Sequence, residues 1–532
     1  VTLTKTGSGT VRFAQNAFLG SLNILGGRVE TLSSGGVIDA WGITLGGSGA
    51  VNPTLALGRP QQVSQLFVAP ETTGATVDLN LASSAVNFGS VILASPLTIR
   101  RSLPATTSAG LLIDGPILGG TAPGTDALVF TALNPASPSY WQVRGTGPID
   151  FTGNVRFAVG KWSLAGLGLP PNWFIPDASL MAINAPAQVT WAVSQLNETI
   201  DGLAGQGTLQ LSGVNNTLTI NADNPANEGA RVFVGGLSQS GTANWVFGGA
   251  GTQVLAGNRI TYSGPTTLNS GTLVLRDATA FASSVALNGG TLELEATSGN
   301  WTFGKSIIGG AGELVKSGAG TVTLTAAATH RGRTLINGGI LALGAGGSLA
   351  NTSEVVLNGG SFNVSALPGG YQVSALLGTG SIGGTVTVTS RLAIGNSPGT
   401  MSFENLILGA GSTAEFEVTG GGTAADLANV SGQLNLNGAA LSVIQLGTYT
   451  PNQKYTLFAY AFGNLLGTFK DLPDGAEFVA AGGPWRIDYD DLTAGLNGGT
   501  GNRFVTLTAV PEPAAASILA LALAATWRRR RR

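Results

Sequence analysis

Short alternating runs, each closed by a glycine corner, recur along this chain at intervals near twenty residues. "TLNSGTLVLRDATAFASSVALNGGTLELEA" begins at Thr267 and "TLINGGILALGAGGSLANTSEVVLNGGSFNVSA" at Thr334. Superposing their corners sets Leu268-Asn269 on Ile336-Asn337 and residues 285–290 on 355–360. The segment Lys5-Thr6-Gly7-Ser8-Gly9-Thr10-Val11 is echoed by Lys316-Ser317-Gly318-Ala319-Gly320-Thr321-Val322. Alternation with a period of two places Val, Leu and Ile on one face of a strand and Thr, Ser and Asn on the other. Glycine supplies positive-φ corners between strands, and Asn tolerates the same region. A strand-corner-strand unit repeated this way predicts an all-β fold, a single-stranded right-handed parallel β-helix (solenoid) in which each coil buries its apolar face against the next. A string of β-sandwiches with glycine-rich turns is the competing arrangement.

The rhythm varies along the chain and suggests divisions. Residues 1–57 read as repeat-like solenoid, and 58–249 as a less regular solenoid with insertions. Residues 250–445 read as the most regular part, and 446–509 as an antiparallel β cap with longer, more aromatic strands. A cap is expected because the open end of a solenoid is an exposed sheet edge that invites association. Residues 510–532 stand apart, with a short apolar helix expected over 514–527. In the irregular part, Trp141, Trp162, Trp173 and Trp191 are candidates for a glycan-contacting face; the alternative is that they plug the core, as large aromatics near prolines and loops commonly do.

Composition removes several classes of function. The chain has 532 residues, 81 glycines, 10% charged residues, one histidine and no cysteine. Its net charge of -2 includes five terminal arginines; the body alone has 21 basic against 28 acidic residues, a balance of -7. A basic groove for nucleic acid is missing. Without cysteine there is neither a disulfide scaffold nor a thiolate metal site, and no cofactor is implied. Three motif matches fail on context. Gly299–Ser306 fits the phosphate-loop spacing, but its interior Trp301-Thr302-Phe303 alternates like a strand and no helix follows. Gly378–Gly383 fits the dinucleotide fingerprint but runs on into Thr385-Val386-Thr387-Val388. Gly395-Asn396-Ser397-Pro398-Gly399 has nucleophile-elbow spacing with β-like sequence after it. The one base available for a serine triad, His330, is expected to be a solvent-facing turn residue. Asp488 and Asp490 are expected to share a strand face, with Asp491 beside them, which admits a calcium ion. Two carboxylates meeting across adjacent coils would escape any motif search. The chain is therefore expected not to be an enzyme, and its metal and catalytic residues are set at none.

At this point two resemblances apply. Lys316, Gly318, Gly320, Thr321 and Leu324, then Thr334, Ile336, Asn337, Gly339 and Leu341, resemble the passenger-associated transport repeat of autotransporter-like surface proteins, with Ile340 where threonine is usual. Thr267, Leu268, Asn269, Gly271, Thr272 and Leu273 match the second half of that repeat more fully. The similarity is clear over 250–445 and weaker over 1–50. "LAIGNSPGTMSF", residues 392–403, resembles the element that follows such repeats. The ending resembles a PEP-CTERM sorting signal: Val510, Pro511, Glu512 and Pro513, an apolar stretch over 514–527, then Arg528, Arg529, Arg530, Arg531 and Arg532. That resemblance implies export to the cell surface or extracellular matrix of a Gram-negative-type bacterium, and processing near Pro-Glu-Pro by an exosortase-type membrane enzyme. Fourteen helical residues reach only about 21 Å, short of a ~30 Å hydrocarbon core. The arginines would stop translocation on the cytoplasmic side, holding the chain transiently at the cytoplasmic membrane. The function expected is adhesion or biofilm cohesion without catalysis. The alternative is a polysaccharide-binding or polysaccharide-cleaving solenoid, with extracellular polysaccharide as its partner.

Overall fold

The computed structural model describes residues 1–511 except 33–35, 82–84, 103–109, 134–140, 146–148, 165–174, 193, 196 and 396–397. The helix expected over 514–527 lies outside these residues. Among the described residues the chain is all-β, apart from one 3₁₀ turn at Pro225–Asn227. It forms two compact units, residues 1–294 with 307–312, and residues 295–306 with 313–532.

In the first unit the strands stack in parallel, one per coil on each face. A single aliphatic ladder runs through Leu3, Leu22, Ile43, Leu66, Val91, Ile117 and Ile149. Its rungs are 19 residues apart at Leu3 and Leu22 but 32 apart at Ile117 and Ile149. The irregularity of the sequence after residue 58 is therefore a lengthening of coils whose strands stay in register. A second ladder passes through Val29, Leu55, Val77, Ile99, Phe130, Phe157 and Ile183. Its aromatic rungs Phe130 and Phe157 lie stacked with centroids 4.9 Å apart. All seven of those residues are buried. Parallel strands buried along one face in this way gain stability at roughly 25 cal/mol per Å² of apolar surface removed from water.

The second unit repeats the design with shorter, more even coils. Trp301, Val322, Leu341, Phe362, Ile382, Phe403 and Val430 form its ladder, all buried. Within Gly299–Ser306 the strand Asn300–Phe303 turns Trp301 and Phe303 inward, and Gly378–Gly383 lies inside the strand Tyr371–Ile394. Beyond this ladder the pairing turns antiparallel: Arg503–Ala509 runs between Lys454–Tyr460 and Gly483–Asp491, and Glu477–Ala480 pairs with the latter.

One corner glycine explains the turn chemistry. At Gly339 φ is +57°, and a Cβ there would stand 2.2 Å from the carbonyl oxygen of Gly320 in the coil before. Gly27 repeats this with φ +68° and 2.4 Å to the Gly9 oxygen. A side chain at either position would fail on both backbone conformation and space.

Candidate functional site

Two hydrogen bonds fix Val510 to the β body. The Val510 amide donates to the Pro484 carbonyl (2.9 Å), and the Tyr449 hydroxyl donates to the Val510 carbonyl (2.5 Å). Pro511 is exposed. Of the segment expected to be a sorting signal, Val510 and Pro511 are the described residues. Glu512, Pro513 and Arg528 to Arg532 lie outside the described residues.

Two of the four tryptophans singled out for glycan contact are core residues, which corrects that expectation. Trp162 and Trp191 are fully buried. Trp162 donates its indole N–H to the Val159 carbonyl (2.9 Å) and tilts against Phe130 at 5.2 Å. Trp191 is a rung between Leu164 and Leu211. Each occupies the inward phase of its strand, where an aromatic contributes the most buried area. Trp173 and the Trp141 side chain lie outside the described residues. Among the described residues the exposed tryptophan is Trp41.

His330 is likewise buried instead of facing solvent. Its Nε2 is 3.1 Å from the Thr334 hydroxyl, which is 3.1 Å from the Thr352 hydroxyl of the next coil. Tyr262 does the same in an earlier coil: its hydroxyl is 3.0 Å from Thr266, which is 2.8 Å from Ser283. The histidine is therefore one variant of a buried polar rung, partnered through Nε2 because an unpaired polar group would be costly there. Burial pushes its pKa down to about 4, so it is a neutral core group.

The lysines of the repeat have a matching role. Lys316 Nζ donates to the carbonyls of Ser317 (2.6 Å), Gly318 (3.0 Å) and, one coil on, Gly338 (3.1 Å). Lys5 donates to Thr6 (2.7 Å), Gly7 (2.7 Å) and Gly26 (3.1 Å). Both side chains are buried. Each ammonium ties its own glycine corner to the corner of the following coil. The reason these corners carry a lysine is visible only once the coils are stacked.

Acidic groups were weighed for metal or acid–base chemistry. Asp488 and Asp490 do not share a face, because the register shifts between Asp488 and Asp491 and Asp490 has a φ of 54°. Each carboxylate in that run has its own cation: Asp488 with Arg486 (3.1 Å), Asp490 with Arg503 (3.1 Å) and Asp491 with Lys454 (2.8 Å). Burial opposes ionisation of Asp491, yet the bonds from Lys454, Thr493 and Thr506 bring its pKa down to about 2. Among the described residues no group of three or more His, Cys, Asp or Glu is placed to hold a metal ion.

Two concave features are formed by the described residues. In the first unit a cleft of about 460 Å³ is lined by Asp177, Asp201, Asp223, Asn224, Phe151 and Thr152, among others. Asp201 is buried and serves the fold: it accepts from Arg231 Nε (3.0 Å) and Nη2 (3.1 Å), from Asn227 (2.8 Å), and from the Asn224 amide (2.7 Å). In the second unit a groove of about 260 Å³ holds Arg333, Arg391, Glu354, Glu415, Glu417 and Asp426. Glu415 pairs with Arg391 (2.7 Å). Asp426 lies near Glu417 across the hairpin bridge between Val418 and Ala425. Burial, with Glu417 adding its charge, pushes Asp426 up to about 6, against amide bonds from Glu417 and Gly399. Those amides occupy Oδ2 (2.7 Å) and Oδ1 (2.8 Å) respectively, so Asp426 ties two backbone segments together.

Three stretches match the passenger-associated transport repeat. They are residues 3–30, 248–275 and 314–343. The first lies in the region that reads only as a weak echo by eye, and contains Lys5 and Gly27. The third contains Lys316, His330 and Gly339. The second has Phe247 four residues before its Gly251-Thr252 step, where the other two have lysine. A curated relative, "Adhesin BmaC autotransporter" of Brucella suis biovar 1 (strain 1330), is 27% identical over 488 residues, covering 82% of this chain. The chain spans 12% of that relative's length. The chain is thus a β-solenoid with transport repeats and distant similarity to an autotransporter adhesin.

Proposed function

We propose that the chain is an exported, non-enzymatic cell-surface or extracellular-matrix protein serving adhesion or biofilm cohesion. The observation that carries this is the parallel solenoid built on three transport-repeat matches and aligned over most of its length with an adhesin. The side-chain chemistry agrees. Lysines, the histidine and the buried carboxylates are used to join coils, and the chain has no cysteine nucleophile.

The tail supports transient anchoring before release. Residues 514–527 and Arg528 to Arg532 would hold the chain at the cytoplasmic membrane of a Gram-negative-type bacterium, and an exosortase-type enzyme would cut at Val510, Pro511, Glu512 and Pro513. Cutting just past Val510 would leave the last strand and its bonds to Pro484 and Tyr449 intact. Prolines at 511 and 513 lack an N–H and disfavour helix, which would suit a processing segment that an enzyme binds in extended form. Intact-mass measurement of the native protein tests this: a terminus within 511–513 on surface-exposed material is expected. Surface protein that keeps Arg528 to Arg532 would mean a permanent anchor.

A further inference from the structure

Among the described residues tryptophan is otherwise a core residue. Trp162, Trp191, Trp245, Trp301 and Trp485 are at most 6% exposed, whereas Trp41 is 82% exposed. It stands on the strand Ile38–Leu45, where Ile38 and Ala40 face inward and the alternation turns Asp39 and Trp41 outward. On the neighbouring strand Phe18 pairs with Asp39 and is 74% exposed. Leu19 pairs with Ala40 and Ser21 with Gly42, so Gly20 is the residue beside Trp41. Glycine there sets no side chain beside the indole, although the Val1 backbone lies against Gly20, 3.3 Å from where a Cβ would stand. Gly42 follows Trp41 with nothing within 4 Å of where its Cβ would stand. Asp39 is exposed, as are Ser64 and Gln65 on the following coil, just ahead of Leu66, which pairs with Ile43.

We infer that Trp41 and Phe18 form a stacking platform for the pyranose rings of a neutral polysaccharide. This rests on the reading of the chain as an exported adhesive protein. One strand across and two residues along separates the two side chains by about 8 Å at the backbone, a step that successive rings of one polymer chain can bridge. The C–H face of a sugar stacks on an aromatic ring, while Asp39, Ser64 and Gln65 supply acceptors and donors for its hydroxyls. The same carboxylate opposes an acidic glycan by like charge. A protein partner fits less well. Two aromatic side chains offer about 300–500 Å², against roughly 800 Å² per partner in a stable protein pair.

The test uses the full chain with insoluble cellulose and chitin, and with cellohexaose and chitohexaose in solution. Wild type should be retained on at least one polymer. Trp41→Ala should lower retention tenfold or more and Phe18→Ala several-fold, with far-ultraviolet circular dichroism unchanged. Phe462→Ala, an exposed aromatic elsewhere, should bind as wild type. The matching hexaose should shield part of the iodide-quenchable tryptophan fluorescence, and that part should be missing in Trp41→Phe. Equal retention of wild type and Trp41→Ala, or no retention of wild type on either polymer, overturns the platform. Loss of binding to a protein-coated surface in Trp41→Ala without glycan binding also overturns it, in favour of a protein partner. Cell attachment that persists in Trp41→Ala alongside such a result leaves the adhesive reading standing.

Discussion

Replacing Lys316 with methionine should loosen the repeat it serves. The side chain is fully buried, and its ammonium satisfies three carbonyls, two in its own corner and one in the next coil. Methionine fills a similar volume without donors. A buried carbonyl left without a partner costs about 1–3 kcal/mol. Part of this is recovered, because burial also penalises the charged amine and holds its pKa below the usual value. A net loss of about 2–4 kcal/mol is the outcome of those opposing effects. A solenoid opens coil by coil, so a global melt would blur the change. Amide hydrogen exchange read on peptides spanning 313–343 is the suitable assay. Exchange there should quicken by about 30- to 1000-fold, at tenfold per 1.4 kcal/mol. Lys470→Met, at an exposed position, should change exchange by less than about threefold, within 0.5 kcal/mol. If Lys316→Met leaves exchange over 313–343 unaltered, the lysine is not a coil-to-coil tie.

Acid should expose two opposed buried groups in the second unit. His330, lowered to about 4 from 6.5, contributes stability that is full above 6.5 and lost as pH falls towards 4, by about 3 kcal/mol. Asp426, raised to about 6 from 3.8, acts the other way and gains the folded state about 3 kcal/mol over the same descent. As pH falls from 6.5 to 4, hydrogen-exchange protection should therefore fall around His330 and rise around Asp426, and His330→Tyr and Asp426→Asn should each flatten the profile of its own coil; variants that leave both profiles unchanged would contradict the assignment. Trp162→Ala should cost the first unit about 3–5 kcal/mol as a large-to-small core change, measured by denaturant unfolding, and a neutral outcome would return Trp162 to the surface. Glu512→Gln should slow processing while leaving export intact, followed by immunoblots of membrane, surface and medium fractions. Normal cleavage with residues 510–513 replaced by Ala-Ser-Ala-Ser would remove the motif from the mechanism.

Most of the architecture was legible because its signals are local. Alternation assigns each strand its inward face, and corner glycines such as Gly27 and Gly339 mark where the chain must turn. What was hidden depends on neighbours one coil away. Coils that lengthen from 19 to 32 residues blur the period between residues 58 and 201 although the ladder Leu66, Val91, Ile117 and Ile149 is continuous. His330 looked like a surface residue because it lies in "THRGR" among polar neighbours, but the hydroxyls of Thr334 and Thr352 make a polar core position affordable. Trp162 and Trp191 could be assigned to neither face from composition; strand phase decided both. The pairing of Asp426 with Glu417 had no spacing signal at all, since a hairpin bridge between Val418 and Ala425 brings them together.

Attachment of intact cells tests the central proposal most directly. A strain of the producing bacterium lacking this chain should adhere several-fold less to its growth surface or to its own matrix than the parent. Restoring the full chain, with its tail, should recover adherence, and surface labelling should find the protein outside the cell. Unchanged attachment in the deletion strain, with the chain inaccessible to label on intact cells, would contradict the assignment of an exported adhesive solenoid.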